Sequence, residues 1–414
     1  MGQIKQQTQG NKFTKITAVA VMIIALMGAS LPIVNLPGIG TLYLFRLVVP
    51  FLFFWMIVHR NHYEQSWRDM FQMMIVWIGW AIVSLLWSFD RTNSIQGIIN
   101  ICFCFVWIMW LAGFVDTVNL YDKLITAFIV FIVGCSLLGL YEVFSGHYIF
   151  TVQAGVESVI TSIGKHYPVT VFYNPNDFMV FVAASIPMVF YLANKKIKNK
   201  HLIFIIDIGY VLFSCVMMLL ADCRMGFVVV PFIVLVWLIS KKWDVRFYKV
   251  VILGVVVGIV ILIASPNTIS LIASEERWEI WSDALYNLKE SFFLGTGIGN
   301  ANFHLPGHIY QSNLTATHFW FIQVLAEIGP IGFLFVAKWY IKSILRVKRS
   351  VVYNRNSSVF ELKRLVLTLL LATIFLSMMS SSLTESSAFW TLIAIMQVGT
   401  GLKIVDQEKA KNEG

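Results

Sequence analysis

Two arginines and a histidine stand where an apolar chain has little structural use for them. Arg224 lies in Ala221-Asp222-Cys223-Arg224-Met225, wedged between two apolar runs. A charge at the edge of an apolar layer is costly unless it is paired or put to use. The plainer reading pairs it with Asp222 and lets its stem reach toward water. Arg277 opens a helical segment, where the plainer reading is a solvated face. His318 begins the run Thr317-His318-Phe319-Trp320. An imidazole there can serve as a general base near neutral pH, or simply anchor a helix end. Lys165 sits in mid-loop and reads as a solvated lysine.

Between Arg277 and His318 comes Gly295-Thr296-Gly297-Ile298-Gly299-Asn300. Alternating glycines let backbone N–H groups converge on an anion, and the alternative is a plain flexible turn. No strand precedes this segment and no βαβ unit surrounds it, so a dinucleotide fold is excluded. Further on, Gln323 and Glu327 are four residues apart on one helical face, just before Gly329-Pro330. Proline frees a backbone carbonyl there and kinks the helix. A glutamate inside a membrane span is a candidate functional residue, or else a group bonded to a neighbouring helix. Asp207 is weighed in the same way. The cysteines Cys102, Cys104, Cys135, Cys215 and Cys223 show neither a disulfide framework nor zinc spacing, and no D-x-D-like cluster marks a divalent-metal site.

The elements that must position these residues are membrane helices. Of 414 residues, 58% are hydrophobic and only 13% charged, about half the charge a soluble domain carries. Apolar runs long enough to cross a bilayer, roughly 20 residues each, are expected near 16–36, 39–58, 70–88, 95–115, 122–142, 175–193, 202–221, 223–240, 249–265, 317–341, 364–383 and 387–403. The expected organisation is a cytoplasmic tail over 1–15, a polytopic all-α domain of about 12 spans over 16–403, and a cytoplasmic tail over 404–414. The first run follows Lys5, Lys12 and Lys15 and lacks a cleavage site, so it is read as a retained span. With the N-terminus inside, 25 of the 31 Lys and Arg residues fall on the cytoplasmic side. The exceptions are Arg46, Arg91, Lys165, Arg224, Arg277 and Lys289. That asymmetry orients the chain and accounts for the net charge of +9 without any nucleic acid. Runs such as Lys195-Lys196-Ile197-Lys198 then face anionic membrane lipid.

This topology places two long loops outside, 143–174 and 266–316. The second opens with an amphipathic helix. Ser274 suits its N-cap, and Glu275 and Glu276 oppose its dipole. Trp278, Trp281, Leu285, Leu288 and Phe292 form one apolar stripe, with Arg277, Glu279, Asp283, Lys289 and Glu290 off it. Such a helix lies in the membrane interface or packs on neighbouring spans, and either way covers the embedded core.

Arg277-Trp278-Glu279-Ile280-Trp281, Leu294-Gly295-Thr296-Gly297-Ile298-Gly299-Asn300, His318 and Ala326-Glu327-Ile328-Gly329-Pro330-Ile331-Gly332 together resemble the signature of the O-antigen ligase and O-antigen polymerase superfamily. Phe172-Tyr173-Asn174-Pro175-Asn176-Asp177 resembles that family's N-P-N start of a span, and Arg224 its arginine between two spans. Phe319 stands where the family often has Asn after the histidine. The resemblance implies an integral-membrane, C-type glycosyltransferase fold that works without a metal or other cofactor on the outer face of the cytoplasmic membrane. Its substrate would be a glycan linked through pyrophosphate to polyprenol, passed to an acceptor hydroxyl. Arg224 and Arg277 would clamp the diphosphate, because a planar guanidinium suits the leaving group's growing charge. His318 would deprotonate or orient the hydroxyl. Asn174, Asn176, Gly295, Gly297, Gly299 and Glu327 would support substrate. Other polysaccharide-assembly membrane proteins are candidate partners. Polymerisation of an O-antigen, capsule, exopolysaccharide or teichuronic-type polymer is favoured, with ligation of finished glycan as the alternative. A lipid-glycan flippase would show two similar halves, and none is visible.

Overall fold

The computed structural model describes residues 16–36, 40–58, 65–150, 165–172, 174–241, 275–311, 317–353, 359–380 and 383–402. The two expected tails, the expected span 249–265, parts of both long loops and the Ser274 cap lie outside these residues, as do the side chains of Glu275 and Glu276.

The architecture is helical. It runs α1 (Ile16–Ser30), α2 (Leu44–Val58), α3 (Gln65–Ser84), α4 (Arg91–Phe114), α5 (Val118–Ser145), α6 (Pro175–Lys196), α7 (Lys200–Leu220), α8 (Gly226–Ser240), α9 (Glu275–Glu290), α10 (Trp320–Tyr353), α11 (Phe360–Leu376) and α12 (Ser387–Gly401). Five of these, α4, α5, α6, α7 and α10, are long and apolar enough to cross a membrane, and α1, α2 and α8 are shorter apolar helices. The chain is thus a multi-pass helical membrane protein. The first expected span, 16–36, is broken. Gly28 turns left-handed at φ 48°, and Pro32–Leu36 (β1) pairs antiparallel with Gly40–Tyr43 (β2). Apolarity over 16–36 hid this hairpin, whose β-branched Ile33, Val34 and Thr41 and bounding proline and glycines favour extended chain.

Helix starts follow local capping. Asp90 Oδ1 accepts from the Thr92 and Asn93 N–H groups at 2.8 and 3.2 Å, Thr117 caps α5, and Asn199 caps α7. The core is built on α6, α11 and α12, whose side chains are almost all buried. Helix α6 packs on α5, α7, α8 and α11, while α10 packs on α3, α9 and α11. By contrast α7 turns Phe204, Ile205, Leu212 and Leu219 outward, the mark of a lipid-facing helix. The starts of α4, α6, α8 and α12 and the end of α11 gather beneath α9. At the opposite end, Lys363 and Arg364 are buried against the C-termini of α12 and α8.

Helix α9 packs along α10. Its buried face is Ile280, Asp283, Ala284, Asn287 and Leu288, packed toward Ala301 and Ala326. Trp278, Leu285 and Phe292 are exposed. Trp278, Leu285 and Phe292 of the apolar stripe thus face away from the protein while Leu288 packs inward, and Asp283, expected on the solvated face, is buried.

Candidate active site

Arg277 lies in the first turn of α9, half-buried. Its Nη1 donates to the Met378 carbonyl at 2.7 Å, in the turn that ends α11. The remaining donors of its fork make no hydrogen bond to any described residue. Burial lowers its pKa, with the neighbouring Cys223 thiol opposing, yet a guanidinium keeps its charge. His318 is held in a left-handed conformation, φ 50°, unusual for a residue with a side chain. The residue before it is clamped: Trp281 Nε1 donates to the Thr317 carbonyl at 2.9 Å, and Thr317 Oγ1 donates to Asn302 Oδ1 at 2.7 Å. Burial, then the charge of Arg277, push the His318 pKa down to about 4, with the Ser380 backbone opposing. The ring is neutral at physiological pH, and Nδ1 is buried without a hydrogen-bond partner.

Ser380 also binds the start of α6. Its Oγ donates to Asp177 Oδ1 at 2.6 Å. Asn174 is the N-cap of α6, its Oδ1 accepting from the Asn176 and Asp177 N–H groups at 2.8 and 3.4 Å, with Pro175 in the first turn. The expected N-P-N segment is thus first a helix start that aims Asp177 at the site. The Asn176 side chain is partly buried and makes no hydrogen bond to a described residue.

The glycine segment differs from a phosphate cradle in where its N–H groups go. Helix α10 breaks at Gly329, φ 65° and ψ 176°, ahead of Pro330. The carbonyls the break frees, Ala326 and Glu327, accept instead from the Thr296 and Gly297 N–H groups at 2.9 and 3.0 Å. The fit leaves no room for side chains. A Cβ on Gly295 would meet the Glu327 carbonyl at 2.5 Å, and one on Gly329 would meet Phe293 O at 2.6 Å. Asn300 Nδ2 fastens the segment to α4 through Ser94 Oγ at 2.9 Å and Ser88 Oγ at 3.0 Å. Gly295, Gly297 and Gly299 are therefore packing glycines that splice the loop into the helix break, not an anion nest at 296 and 297. Glu327 is buried beside them. Its Oε1 accepts from Gln323 Nε2 at 3.0 Å, and the Gly299 N–H is turned toward the carboxylate, but Oε2 has no hydrogen-bond partner.

Arg224 sits in the tight turn between α7 and α8, exposed. The expected pairing with Asp222 is displaced, because Asp222 Oδ2 is taken by Lys165 Nζ at 2.6 Å and Tyr167 Oη at 3.0 Å. Lys165 is therefore an ion-pair partner rather than a free loop lysine. Between these residues, Cys223 is buried beside Arg277, so the turn belongs to the same rim. Asp207 lines neither cavity of the site.

Two half-open cavities share Glu385, and neither has His318 or Arg277 in its wall. One, of about 240 Å³, includes Tyr43, Arg46, Asn100, Asp177 and Glu385 in its wall. The other, of about 310 Å³, includes Asn93, Asn302, Thr317, Gln323, Glu327 and Glu385. Sequence reasoning missed Arg46 and Glu385. Arg46 stands in its list of outer cations without a role, and Glu385 is an acid in the short break between two apolar runs.

A broken helix packed under an amphipathic one thus sets Arg277, which spends a single hydrogen bond, beside an uncharged His318. Residues 209–337, from α7 through the helix break, match the O-antigen ligase family. Over 411 residues the chain is 25% identical to the teichuronic acid biosynthesis protein TuaE of Bacillus subtilis (strain 168), covering 87% of this chain and 78% of that protein. The resemblance read from Arg224, Arg277, the glycine segment, His318 and Glu327 holds, and it supports polysaccharide ligation or polymerisation in general terms.

Proposed function

We propose that this chain polymerises polyprenyl-diphosphate-linked oligosaccharide repeats at the outer face of the cytoplasmic membrane, with both termini in the cytoplasm and without a metal ion. The observation that carries this reading is Arg277, a half-buried cation with most of its donors unspent, set beside a neutral histidine. In the reaction an acceptor hydroxyl oxygen bonds to the donor's anomeric carbon. The carbon–oxygen bond to phosphate breaks, and its electron pair leaves on the diphosphate. Arg277 takes that growing charge where water is scarce, with Arg224 at the rim as a second, weaker cation. The acceptor proton passes to the His318 imidazole. Burial is the larger cause of this ring's depressed pKa, and a diphosphate against Arg277 offsets only the second, the arginine's charge. Glu327 accepts a sugar hydroxyl, while Asn174, Asn176 and the three glycines hold the walls in place.

The test is Arg277→Ala in cells making the polymer. Protein should remain in the membrane, polymer should disappear, and single lipid-linked repeats should accumulate. Arg277→Lys should rescue poorly, because a point charge does not reproduce a bidentate fork. Wild-type polymer in the alanine variant overturns the reading. Accumulation of finished lipid-linked chains instead of single repeats assigns ligation, and EDTA should leave transfer by purified protein unchanged.

A further inference from the structure

Glu385 is the residue the two cavities share. It lies in the short segment between α11 and α12, beyond the stretch that matches the O-antigen ligase family. Its side chain is exposed to the cavities and enclosed elsewhere by protein, so burial raises its pKa while Arg46 opposes. The carboxylate makes no hydrogen bond or ion pair with a described residue. Arg46, bonded to Asn100 Oδ1 at 2.7 Å, stands on one side of it, and Glu327 is the like charge on the other. A carboxylate open to both cavities and without a partner among the described residues is free to accept from a donor outside the chain.

The second cavity points to the same kind of ligand. Gln323 and Glu327 are at most 4% exposed, yet Gln323 Oε1 and Glu327 Oε2 have no hydrogen-bond partner. Two carboxylates there repel a diphosphate and attract neutral groups rich in O–H donors. Each cavity is several times the roughly 30 Å³ share of a water molecule and lies near the lower end of the usual ligand-pocket range. That is room for a sugar ring. A transferase must hold two such rings against each other to within a bond length of reaction.

Resting on the polymerase reading above, we propose that the cavities are two saccharide subsites, one for the donor's first sugar and one for the acceptor's terminal sugar. Glu385 joins them, one carboxylate oxygen accepting a hydroxyl from each sugar and so fixing their relative position.

The experiment uses full-length protein in detergent or vesicles, with lipid-linked repeats extracted from cells lacking this chain as the probe. Glu385→Gln keeps shape but replaces one acceptor with a donor, and Glu385→Ala removes both. Transfer should fall about ten- to a hundred-fold, the scale of one or two lost hydrogen bonds to a charged group. Release of polyprenyl diphosphate by attack of water should persist, so product shifts from polymer to free glycan. Arg277→Ala should suppress both outputs. Glu385→Gln with wild-type transfer and unchanged partition overturns the subsites while leaving the polymerase reading intact. Arg277→Ala with wild-type transfer overturns the reading beneath them. If Glu385→Ala unfolds, judged by its melting curve, the Gln variant decides. Loss of transfer and release together in a folded Gln variant also overturns the proposal, because it places Glu385 with the leaving group.

Discussion

The two ends of the bundle use buried cations in opposite ways. At the end away from α9, Lys363 donates to the carbonyls of Gly399, Thr400 and Leu402 at 2.8, 3.0 and 2.7 Å, spending all three ammonium protons on the C-terminus of α12. Arg364 donates to Trp237 O at 2.7 Å, Ser240 Oγ at 3.1 Å and Glu361 Oε2 at 2.6 Å, and lies 4.1 Å over the Trp237 ring. Both complete the negative ends of helix dipoles. Under α9, Arg277 spends a single hydrogen bond. A buried cation whose donors are consumed belongs to the fold, and a half-buried one whose donors stay open is available to a ligand.

That contrast can be broken from either side. Lys363→Ala strands three buried carbonyls, so it should cost about 3–5 kcal/mol, typical of removing one partner of a buried charged set. Loss of protein from membranes and a fall in melting temperature measure it. A folded Lys363→Ala protein without polymer would show that this end is not merely structural. Arg277→Ala is expected to lose about 10²- to 10³-fold in transfer with stability unchanged or raised, since burial already opposes its charge. A melting temperature that falls with activity would place Arg277 in the first class. Arg224→Ala should cost about tenfold or less, and that effect should shrink in high salt, because its charge is exposed and screened.

The smallest effect is on stability against pH. His318 binds a proton near its ordinary 6.5 in the unfolded chain but only at about 4 in the fold. Between those values the unfolded state holds more protons, so stability falls as pH drops from about 6.5 toward 4 and is level above. His318→Gln should remove part of that acid slope, read from melting curves between pH 4.5 and 7.5. An unchanged slope would mean the ring is not buried neutral.

What the sequence disclosed and what it withheld follow one physical division. Local rules are written in neighbours. The Asn174-Pro175 helix start, the Gly329-Pro330 break and the stripe of Trp278, Leu285 and Phe292 were legible because capping, a missing N–H and a 3.6-residue period act within a few positions. Pairings across the chain were not. Asp222 had Arg224 two residues away as one candidate partner, and is held by Lys165, 57 residues away. The glycines of 295–299 look like an anion nest in isolation, and only the freed carbonyls of α10 reveal their use. Glu385 becomes conspicuous only when α2, α4, α10 and α12 close around it.

The splice at Gly329 also governs the order of assembly. A helix entering a bilayer normally carries its own hydrogen bonds, which is why it can insert as a finished unit. Helix α10 cannot do so. Its Ala326 and Glu327 carbonyls stay unmet until Thr296 and Gly297 arrive from a loop some 30 residues upstream, at a cost of several kcal/mol while they wait. That loop is pinned in turn to α4 by Asn300 and to Thr317 through α9. Arg277, His318 and Glu327 therefore come into register only once that loop has docked against α10. A chain with that loop undocked would hold every one of these residues out of place, so the helix break ties their arrangement to completed assembly.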